Sequence, residues 1–419
     1  MKNFSEKLES ILAPVASKIA SNRYINAIQA GFLTSMPLVV VASILVAVAC
    51  LPIDGFQAFM ASTFGANWTS PLFMFGGAAT DIIGIFVLVG ASASLAKYYK
   101  LPIASTVGIA ISGFIVINGN VDSLKTLFGS TNLFLVLITS VTSVEIIKFV
   151  KDRNWTIKMP DSVPEAVSAS FAALIPGLAV VLIYVIIYCL FSGTSFGTPS
   201  AFINQIVQTP ITKLGATLPA VLVFILFEIV LWSFGIHGSN IVGAIFEPIF
   251  TILTLENLAA TNAGLAPTNI FALNFYTNFV RLGGAGANLG LLVCMLVFAK
   301  SERYKSLGKL ATAPLVFQIN EPIIFGFPLV MNPIMDIPFI LAPMVNAILT
   351  YIAMSTGIVP CCNGISIPWN TPPIISGFLL CGWRGSLLQL VCLAVNIVIW
   401  LPFFKVFDKQ AYLEETTGK

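Results

Sequence analysis

Residues 317–328 read F-Q-I-N-E-P-I-I-F-G-F-P and place a carboxylate, Glu321, inside a long apolar region. Moving a charge to the centre of a bilayer costs roughly 2.5–3.5 kcal/mol on insertion scales, so an intramembrane acid indicates a functional site. Pro322 removes a backbone donor, and a glycine and a second proline interrupt regular helix again within two turns. Irregular backbone at membrane depth persists only where it is buried in protein or lines a cavity. The stretch therefore predicts a broken hairpin that offers polar groups to a ligand. The alternative is a Glu321 that snorkels to the interface or pairs with Lys309.

The composition around this stretch is that of a membrane protein. Of the 419 residues, 57% are hydrophobic and 9% are charged, whereas a soluble domain is about 25% charged. The net charge of +3 is too small to indicate a nucleic-acid partner. The seven cysteines lie mostly in apolar runs and include no Cys-x-x-Cys pair, so we expect no disulfide framework, no metal site and no cofactor.

Apolar segments of spanning length recur from residue 27 to residue 404. They predict an all-α polytopic membrane protein with about ten transmembrane helices and two re-entrant hairpins, in which the last apolar stretch, 374–404, is divided into two short spans near 383–385. Basic residues cluster before the first span, after the second and fourth spans, between 299 and 310, and at the end of the chain. Since cytoplasmic loops carry the excess of Lys and Arg, both termini are predicted to be cytoplasmic.

A shift in composition divides the chain into two halves. Residues 1–191 contain a predicted amphipathic surface helix followed by regular spans, which indicates a scaffold. Residues 192–213 predict an interfacial amphipathic linker helix, and residues 214–419 hold the interrupted segments expected of a substrate domain. The tripeptide 247–249, Glu-Pro-Ile, repeats 321–323 and predicts a second helix break, because paired interrupted segments mark transporter binding sites.

The sole histidine, His237, lies in a W-S-F-G-I-H-G-S-N run at the end of one span. Imidazole can donate or accept a hydrogen bond, which suits a sugar hydroxyl or a proton transfer. Trp369 lies in an irregular proline-flanked segment, where its ring could stack on a pyranose or, alternatively, anchor at the membrane interface. Trp232 is a second stacking candidate.

Three further charged residues are isolated in apolar or glycine-rich surroundings. Arg281 is the one basic residue of the segment 278–288, where its forked donors could hold a phosphate, a carboxylate or sugar hydroxyls. The alternative is that it pairs with Glu247 or Glu256. Asp81 and Glu228 could be proton sites, but pairing within the helix bundle is the favoured interpretation.

The motifs G-I-H-G at 235–238, N-E-P at 320–322 and I-P-W-N at 367–370 resemble a known family over essentially the whole chain. This is the membrane component, enzyme IIC, of the bacterial phosphoenolpyruvate-dependent sugar phosphotransferase system, in its lactose/cellobiose/diacetylchitobiose branch. The resemblance implies that His237 and Glu321 hydrogen-bond the sugar near its 6-hydroxyl, with Glu321 as a possible general base, and that Trp369 stacks on the sugar. Local chemistry adds further candidate substrate-binding residues: Trp232, Asn240, Arg281, Asn288, Gln318 and Asn320.

The same resemblance implies a homodimer in the bacterial cell membrane, with the N-terminal half as the dimer scaffold and the C-terminal half moving as an elevator. A cytoplasmic IIB protein, phosphorylated on a cysteine, would transfer phosphate to the sugar. Because the chain ends at Lys419, soon after the last span, IIB is expected to be a separate protein, which favours cellobiose or diacetylchitobiose over lactose. The chain is then a permease without independent catalysis.

Three other classes of function remain open on the residues alone. A proton-coupled secondary sugar transporter would use Glu321 or Asp81 as its proton site. A membrane-embedded enzyme would use His237 and Glu321 as an acid/base pair. A channel is least favoured, because no rings of like polar residues are visible in the sequence.

Overall fold

The computed structural model describes Lys18 and residues 21–49, 53–74, 81–119, 123–160 and 162–417. Helices and loops account for all of these residues, with no strand among them, which confirms the predicted all-α class. Most of the predicted N-terminal amphipathic helix lies outside the described residues. Of that segment the structure describes Lys18 and the residues from 21 onward. In chain order the helices labelled here are α1 Arg23–Ala49, α2 Asp54–Phe64, α3 Ile83–Tyr98, α4 Ile103–Asn118, α5 Leu133–Asp152, α6 Leu174–Ser192, α7 Leu218–Ser233, α8 Gly238–Asn262, α9 Leu289–Phe298, α10 Glu302–Val316, α11 Glu321–Gly326, α12 Pro333–Ser355 and α13 Ile375–Thr417. In the described part of the chain, four short helices without labels lie between them, at Leu124–Phe128, Glu165–Ala172, Pro199–Phe202 and Thr209–Gly215.

The chain divides into two compact units. One contains Ile19–Leu45 and Ser70–Lys213, and in it α3 packs on α4 and α5, and α6 packs on α4 and α5. Small residues permit this close packing: a Cβ at Gly113 would lie 2.6 Å from the Tyr184 ring. The Tyr184 hydroxyl lies 2.7 Å from Thr142 Oγ1 and donates to the Thr139 carbonyl at 3.2 Å. Small residues and interhelical hydroxyl bonds are how helices associate in lipid.

The other unit contains Val46–Thr69 and Leu214–Lys419. Its helix α7 packs on α8 and α12, while α13 packs on α9 and α12. An aromatic cluster joins α7 to α8, because the Phe224 ring lies 4.6 Å from Phe246 and 5.8 Å from Phe250. Irregular backbone separates the helices: a π-helical turn at Phe275–Val280, a glycine-rich turn at 283–286 and a long loop at 356–374.

Helix length and hydropathy identify the membrane-crossing segments. Among the described residues, Leu133–Asp152, Val167–Ser192, Pro333–Ser355 and Ile375–Thr417 are long and apolar enough to cross a bilayer. Two bent pairs raise the number to as many as six: Pro199–Gly215 with Leu218–Ser233, at 72°, and Phe275–Ala287 with Leu289–Phe298, at 58°. The membrane class is thereby supported, and the count of ten crossings stays a prediction.

Of two further predicted breaks, one differs from the structure and the other agrees with it. Pro248 lies inside α8, which runs from Gly238 to Asn262, so the second Glu-Pro step does not break its helix and that prediction is wrong. Neighbouring helices and small local adjustments can satisfy the backbone group that a proline frees. The predicted division of the last apolar stretch near 383–385 is confirmed to within a residue, because a kink at Gly382, whose φ is 68°, separates two helical parts of α13.

The break at the opening motif is confirmed. Helix α10 ends at Val316 and α11 begins at Glu321, with Asn320 at its N-cap position and Pro322 in its first turn. Helix α11 ends after six residues, at Gly326. Between the two helices Gln318 has a left-handed φ of 64°, a conformation that few residues other than glycine adopt.

Candidate substrate site

The turn between α7 and α8 presents the sole histidine. His237 is the N-cap residue of α8, and its Nδ1 accepts a hydrogen bond from the Asn240 backbone N–H at 3.3 Å. A nitrogen that accepts a hydrogen bond carries no proton, so Nε2 carries the proton of the neutral imidazole. The His237 side chain is exposed, and its ring lies 4.3 Å from the buried Trp232 ring. The turn therefore offers Nε2–H as a hydrogen-bond donor to a ligand.

Beneath this turn lies a buried polar network. The Glu228 carboxylate on α7 is 1% exposed and accepts a hydrogen bond from the Ser239 hydroxyl. The same hydroxyl accepts from Trp232 Nε1 at 3.1 Å and from the Arg281 guanidinium at 2.9 Å. Arg281 also lies 3.5 Å from the Glu228 carboxylate. One serine thus joins the end of α7 and the start of α8 to the segment around Arg281, 42 positions further along the chain.

The network settles how the isolated charges are paired. Arg281 pairs with Glu228, and the alternative partners Glu247 and Glu256 are wrong. Asp81 pairs with Lys125 at 2.9 Å, so both acids are paired within their helix bundles, as the favoured interpretation predicted. Among the described side chains, Glu228 Oε2 and Arg281 Nε are buried without a hydrogen-bond partner. Each residue of the pair therefore keeps one buried polar atom without a partner.

Amide side chains hold the broken segment that carries Glu321. Asn320 donates from its amide to the Ala285 carbonyl at 2.7 Å. A Cβ at Gly284, where φ is 87°, would lie 2.5 Å from the Asn320 side chain, so only glycine fits this contact. Gln318 donates to the Trp369 carbonyl at 2.8 Å and to the Thr371 carbonyl at 3.1 Å. These two amides fasten the loop around Glu321 to two other irregular segments.

The candidate residues differ in how far a ligand could reach them. His237, Asn240 and Trp369 are exposed, Glu321 and Arg281 are half-buried, and Trp232, Gln318, Asn320 and Asn288 are buried. The Glu321 carboxylate acts electrostatically on the His237 imidazole. Asn288 is 0% exposed, behind the glycine-rich turn. The sugar-binding role of each of these residues stays a prediction.

Gln389 joins α13 to the segment that leads to Arg281, and the sequence did not single it out. It is 1% exposed on α13, and its amide oxygen accepts from the backbone N–H groups of Ile374 and Gly377 at 2.5 and 3.0 Å. Its amide nitrogen donates to the Asn278 carbonyl at 2.8 Å and to the Ser376 hydroxyl at 2.9 Å. A lone amide in an apolar run is the signal that could have identified it.

We expect Gln389→Leu to destabilise the protein, because it removes four hydrogen bonds without opening a cavity. Each buried group left without a partner costs about 1–3 kcal/mol, so the total exceeds that of a typical point substitution. Thermal unfolding in detergent measures the change. The matched control is Gln410→Leu on the same helix, where the amide is exposed and bonds only Glu414 at 3.2 Å. An equal loss of stability in both variants would contradict this assignment.

Apolar helices of spanning length, with a polar site built on their breaks, define an integral membrane protein of the permease type. The chain belongs to the phosphotransferase system EIIC family, whose model matches residues 29–343. The family resemblance that the sequence motifs indicated is thereby confirmed.

Individual relatives agree with this assignment. The chain is 38% identical to the lichenan permease IIC component of Bacillus subtilis, over 99% of this chain and 96% of that protein. It is 37% identical to the cellobiose-specific EIIC component of Geobacillus stearothermophilus, again over 99% and 96%. The crystal structure of the transporter ChbC, the IIC component from the N,N'-diacetylchitobiose-specific phosphotransferase system, matches with a TM-score of 0.93 and 38% identity, covering 98% of this chain and 99% of that one.

Proposed function

We propose that this chain is the sugar-translocating component that imports a β-linked disaccharide, cellobiose or diacetylchitobiose, and presents its 6-hydroxyl to a separate phosphorylated IIB protein. The family supports the sugar-permease class. Relatives named for cellobiose and for diacetylchitobiose, each covering nearly the whole chain, support the substrate class. A proton-coupled secondary transporter is not favoured by these relatives.

One contact carries the chemical part of the proposal: the Asn240 N–H fixes His237 Nδ1 as an acceptor and leaves Nε2–H as a donor. A sugar hydroxyl can accept from that donor while it donates its own proton to the Glu321 carboxylate. Hydrogen bonding to the Glu321 carboxylate orients the sugar hydroxyl. Transfer of the hydroxyl proton to Glu321 makes the sugar oxygen a better nucleophile toward phosphate. His237 and Glu321 thereby select and prepare one hydroxyl.

The exposed Trp369 supplies an aromatic face for the sugar ring in this proposal. Its side chain is 53% exposed, while Gln318 holds its backbone carbonyl in place. Arg281, paired on one side with Glu228, would orient hydroxyls through its remaining donors. Asn240, Asn288 and Asn320 complete the polar surroundings of the sugar in this proposal.

Residues 214–419 are proposed to be the transport domain, which carries sugar across the membrane as an elevator. The compactness of the unit that holds Leu214–Lys419 supports its movement as one body. Residues 1–191 would form the scaffold of a homodimer, with both termini in the cytoplasm. Phosphorylation adds charge that a site built for neutral sugar does not accept, so the product is trapped inside.

The test is uptake by purified protein in vesicles, offered cellobiose, diacetylchitobiose, lactose or maltose, with and without phosphorylated IIB inside. We expect saturable uptake of one β-linked disaccharide, and sugar 6-phosphate that accumulates only with IIB. Uptake that ignores IIB and collapses with the proton gradient would show a secondary transporter instead.

A pair of substitutions at His237 tests the proposed hydrogen bond. Asn is a good N-cap that replaces the Nδ1 acceptor but has no group at the Nε2 position, whereas the longer Gln side chain places an N–H donor near it. We expect His237→Asn to fold normally and to lose roughly tenfold in sugar affinity, the equivalent of about one hydrogen bond. His237→Gln should retain more of that affinity. Equal affinity in both variants and the native protein would contradict the assignment.

A further inference from the structure

A groove outside the candidate sugar site opens beside α13. It has a volume of about 370 Å³ and lies between the end of α12, the loop that follows it and the residues of α13 just after the Gly382 kink. Ala353, Val359, Leu388 and Val391 contribute apolar walls. The volume falls within the range of about 300–1,000 Å³ that is usual for small-molecule pockets. The groove is large enough to hold an apolar chain.

Helix length places this groove at the edge of the membrane. From Arg384 to Lys405 helix α13 has no break in its helical backbone, and 21 residues at 1.5 Å each span about 31 Å. A bilayer hydrocarbon core is about 30 Å thick. If Lys405 lies at one interface, Arg384 therefore lies at the other, at the level of lipid headgroups. Trp383 beside it is 64% exposed, as expected of an interfacial tryptophan.

Among the described residues, no acidic side chain pairs with the arginine at the groove. Arg384 is exposed, donates to the Ile358 carbonyl at 3.3 Å and lies 5.5 Å from the Trp383 ring centre. None of the ion pairs formed by the described residues includes it. It is also the only basic residue between Lys309 and Lys405. A guanidinium at headgroup level with unused donors is suited to a phosphate.

Apolar side chains continue from Arg384 toward the middle of the membrane. Leu387 and Val391 follow Trp383 at helical spacing of four residues and are 52% and 46% exposed. Residues spaced by four lie on one face of a helix, so these three form a stripe. On a membrane-spanning helix an exposed apolar stripe contacts lipid chains. The stripe thus continues the groove from headgroup level toward the middle of the membrane, which is the direction in which a lipid acyl chain runs.

We propose that this groove binds an anionic phospholipid, whose phosphate pairs with Arg384 and one of whose acyl chains lies along Leu387 and Val391. The positive charge without a counter-charge selects an anionic headgroup, and the apolar walls select a lipid over a free anion. A neighbouring copy of this chain is the main competing occupant. Binding here would anchor the start of α13 and the loop that holds Ile358.

The test measures phospholipid binding by the delipidated full-length protein in detergent, with native mass spectrometry. Phosphatidylglycerol and phosphatidylcholine of equal chain length are titrated in parallel, and glycerol 3-phosphate is added as a headgroup without chains. We expect preferential binding of phosphatidylglycerol, and a loss of roughly tenfold in its affinity in Arg384→Gln, as for removal of a charge-assisted hydrogen bond. Val391→Trp, which leaves the arginine in place and fills the groove, should lower affinity for both lipids.

The matched control is Arg153→Gln, because Arg153 is also an exposed arginine near a tryptophan, 5.8 Å from the Trp155 ring centre, in the other compact unit. Its lipid binding should equal that of the native protein. Equal loss in the control would overturn the proposal, as would effective competition by glycerol 3-phosphate, since that result indicates a free-anion site. A change from dimer to monomer in Val391→Trp without any change in lipid affinity would assign the groove to a second copy of the chain.

Discussion

Glu321→Gln is expected to abolish most sugar phosphorylation while leaving the protein folded. The amide keeps the size of the side chain and one acceptor oxygen, but it cannot take a proton. If Glu321 acts as a general base on the 6-hydroxyl, product formation should fall by about 10²–10⁴-fold. If it only orients the hydroxyl, the amide oxygen preserves part of that contact and the loss should be nearer tenfold. Sugar 6-phosphate formed in vesicles that contain phosphorylated IIB measures the difference.

Binding and a control variant separate these outcomes from misfolding. Sugar affinity of Glu321→Gln is measured without IIB, where we expect a loss of no more than roughly tenfold, because one hydrogen bond changes in strength. Glu256→Gln is the control, since Glu256 is an exposed carboxylate on α8 that bonds the Asn269 amide at 2.8 Å. Its uptake and phosphorylation should match those of the native protein. Full binding together with full phosphorylation in Glu321→Gln would remove this residue from the mechanism.

The break at Glu321 was predictable because local chemistry dictates it. Two prolines, a glycine and a carboxylate within eight residues disfavour a continuous helix in lipid. The same reasoning failed at Pro248, where the helix continues. A single proline is compatible with a spanning helix, and whether it interrupts the helix depends on neighbours that the local sequence does not name.

The network around Arg281 could not be predicted from its own surroundings. Its partners Glu228 and Ser239 lie 53 and 42 positions earlier in the chain, on the two sides of the turn that carries His237. Sequence proximity favoured Glu247 and Glu256 instead. Gln389 shows the same limit, because its amide bonds a carbonyl 111 positions away. Chemistry at a residue indicates that a polar group in lipid needs partners, while only the packing of α7, α8 and α13 decides which ones.

For the two amides beside Glu321, the structure shows contacts that the sequence did not indicate. Gln318 and Asn320 were candidates because polar groups at membrane depth indicate ligand binding. In the structure their amide nitrogens donate to carbonyls of other loops, and both side chains are about 5% exposed or less. These bonds fasten the segment that carries Glu321, and the sugar-binding role of both amides stays a prediction. An amide that fastens a broken helix and an amide that binds a sugar have the same sequence signature.

Glu228→Gln is the second change for which we expect a large effect. It retains an acceptor for the Ser239 hydroxyl but leaves Arg281, which is 21% exposed, without a counter-charge. Removing one partner of a buried ion pair costs about 3–5 kcal/mol, and the retained acceptor and partial exposure of Arg281 place the expected loss at the lower end. Thermal or denaturant unfolding in detergent measures stability. Sugar affinity should fall as well, because Ser239 and Arg281 fix the turn that carries His237.

A double-mutant cycle shows whether the pair acts as a unit. Glu228→Gln combined with Arg281→Gln removes both charges, so the double variant should be more stable than either single variant, with a coupling energy of about 1–3 kcal/mol. If the pair only positions the turn, sugar affinity in the double variant recovers along with stability. If Arg281 also contacts the sugar, stability recovers and affinity does not. Strictly additive losses of stability would contradict the network.

The Asp81–Lys125 pair is the control that shows whether burial or the distance between the charges determines how much an ion pair contributes to stability. Its charged atoms are closer, at 2.9 Å against 3.5 Å, but its side chains are 32% and 71% exposed whereas that of Glu228 is 1% exposed. An exposed pair contributes about 0–1 kcal/mol because water already solvates both charges. Asp81→Asn should therefore cost less than Glu228→Gln although it breaks the shorter contact. A larger loss of stability in Asp81→Asn than in Glu228→Gln would mean that water or another carboxylate compensates the charge of Arg281. The turn that carries His237 would then not depend on Glu228.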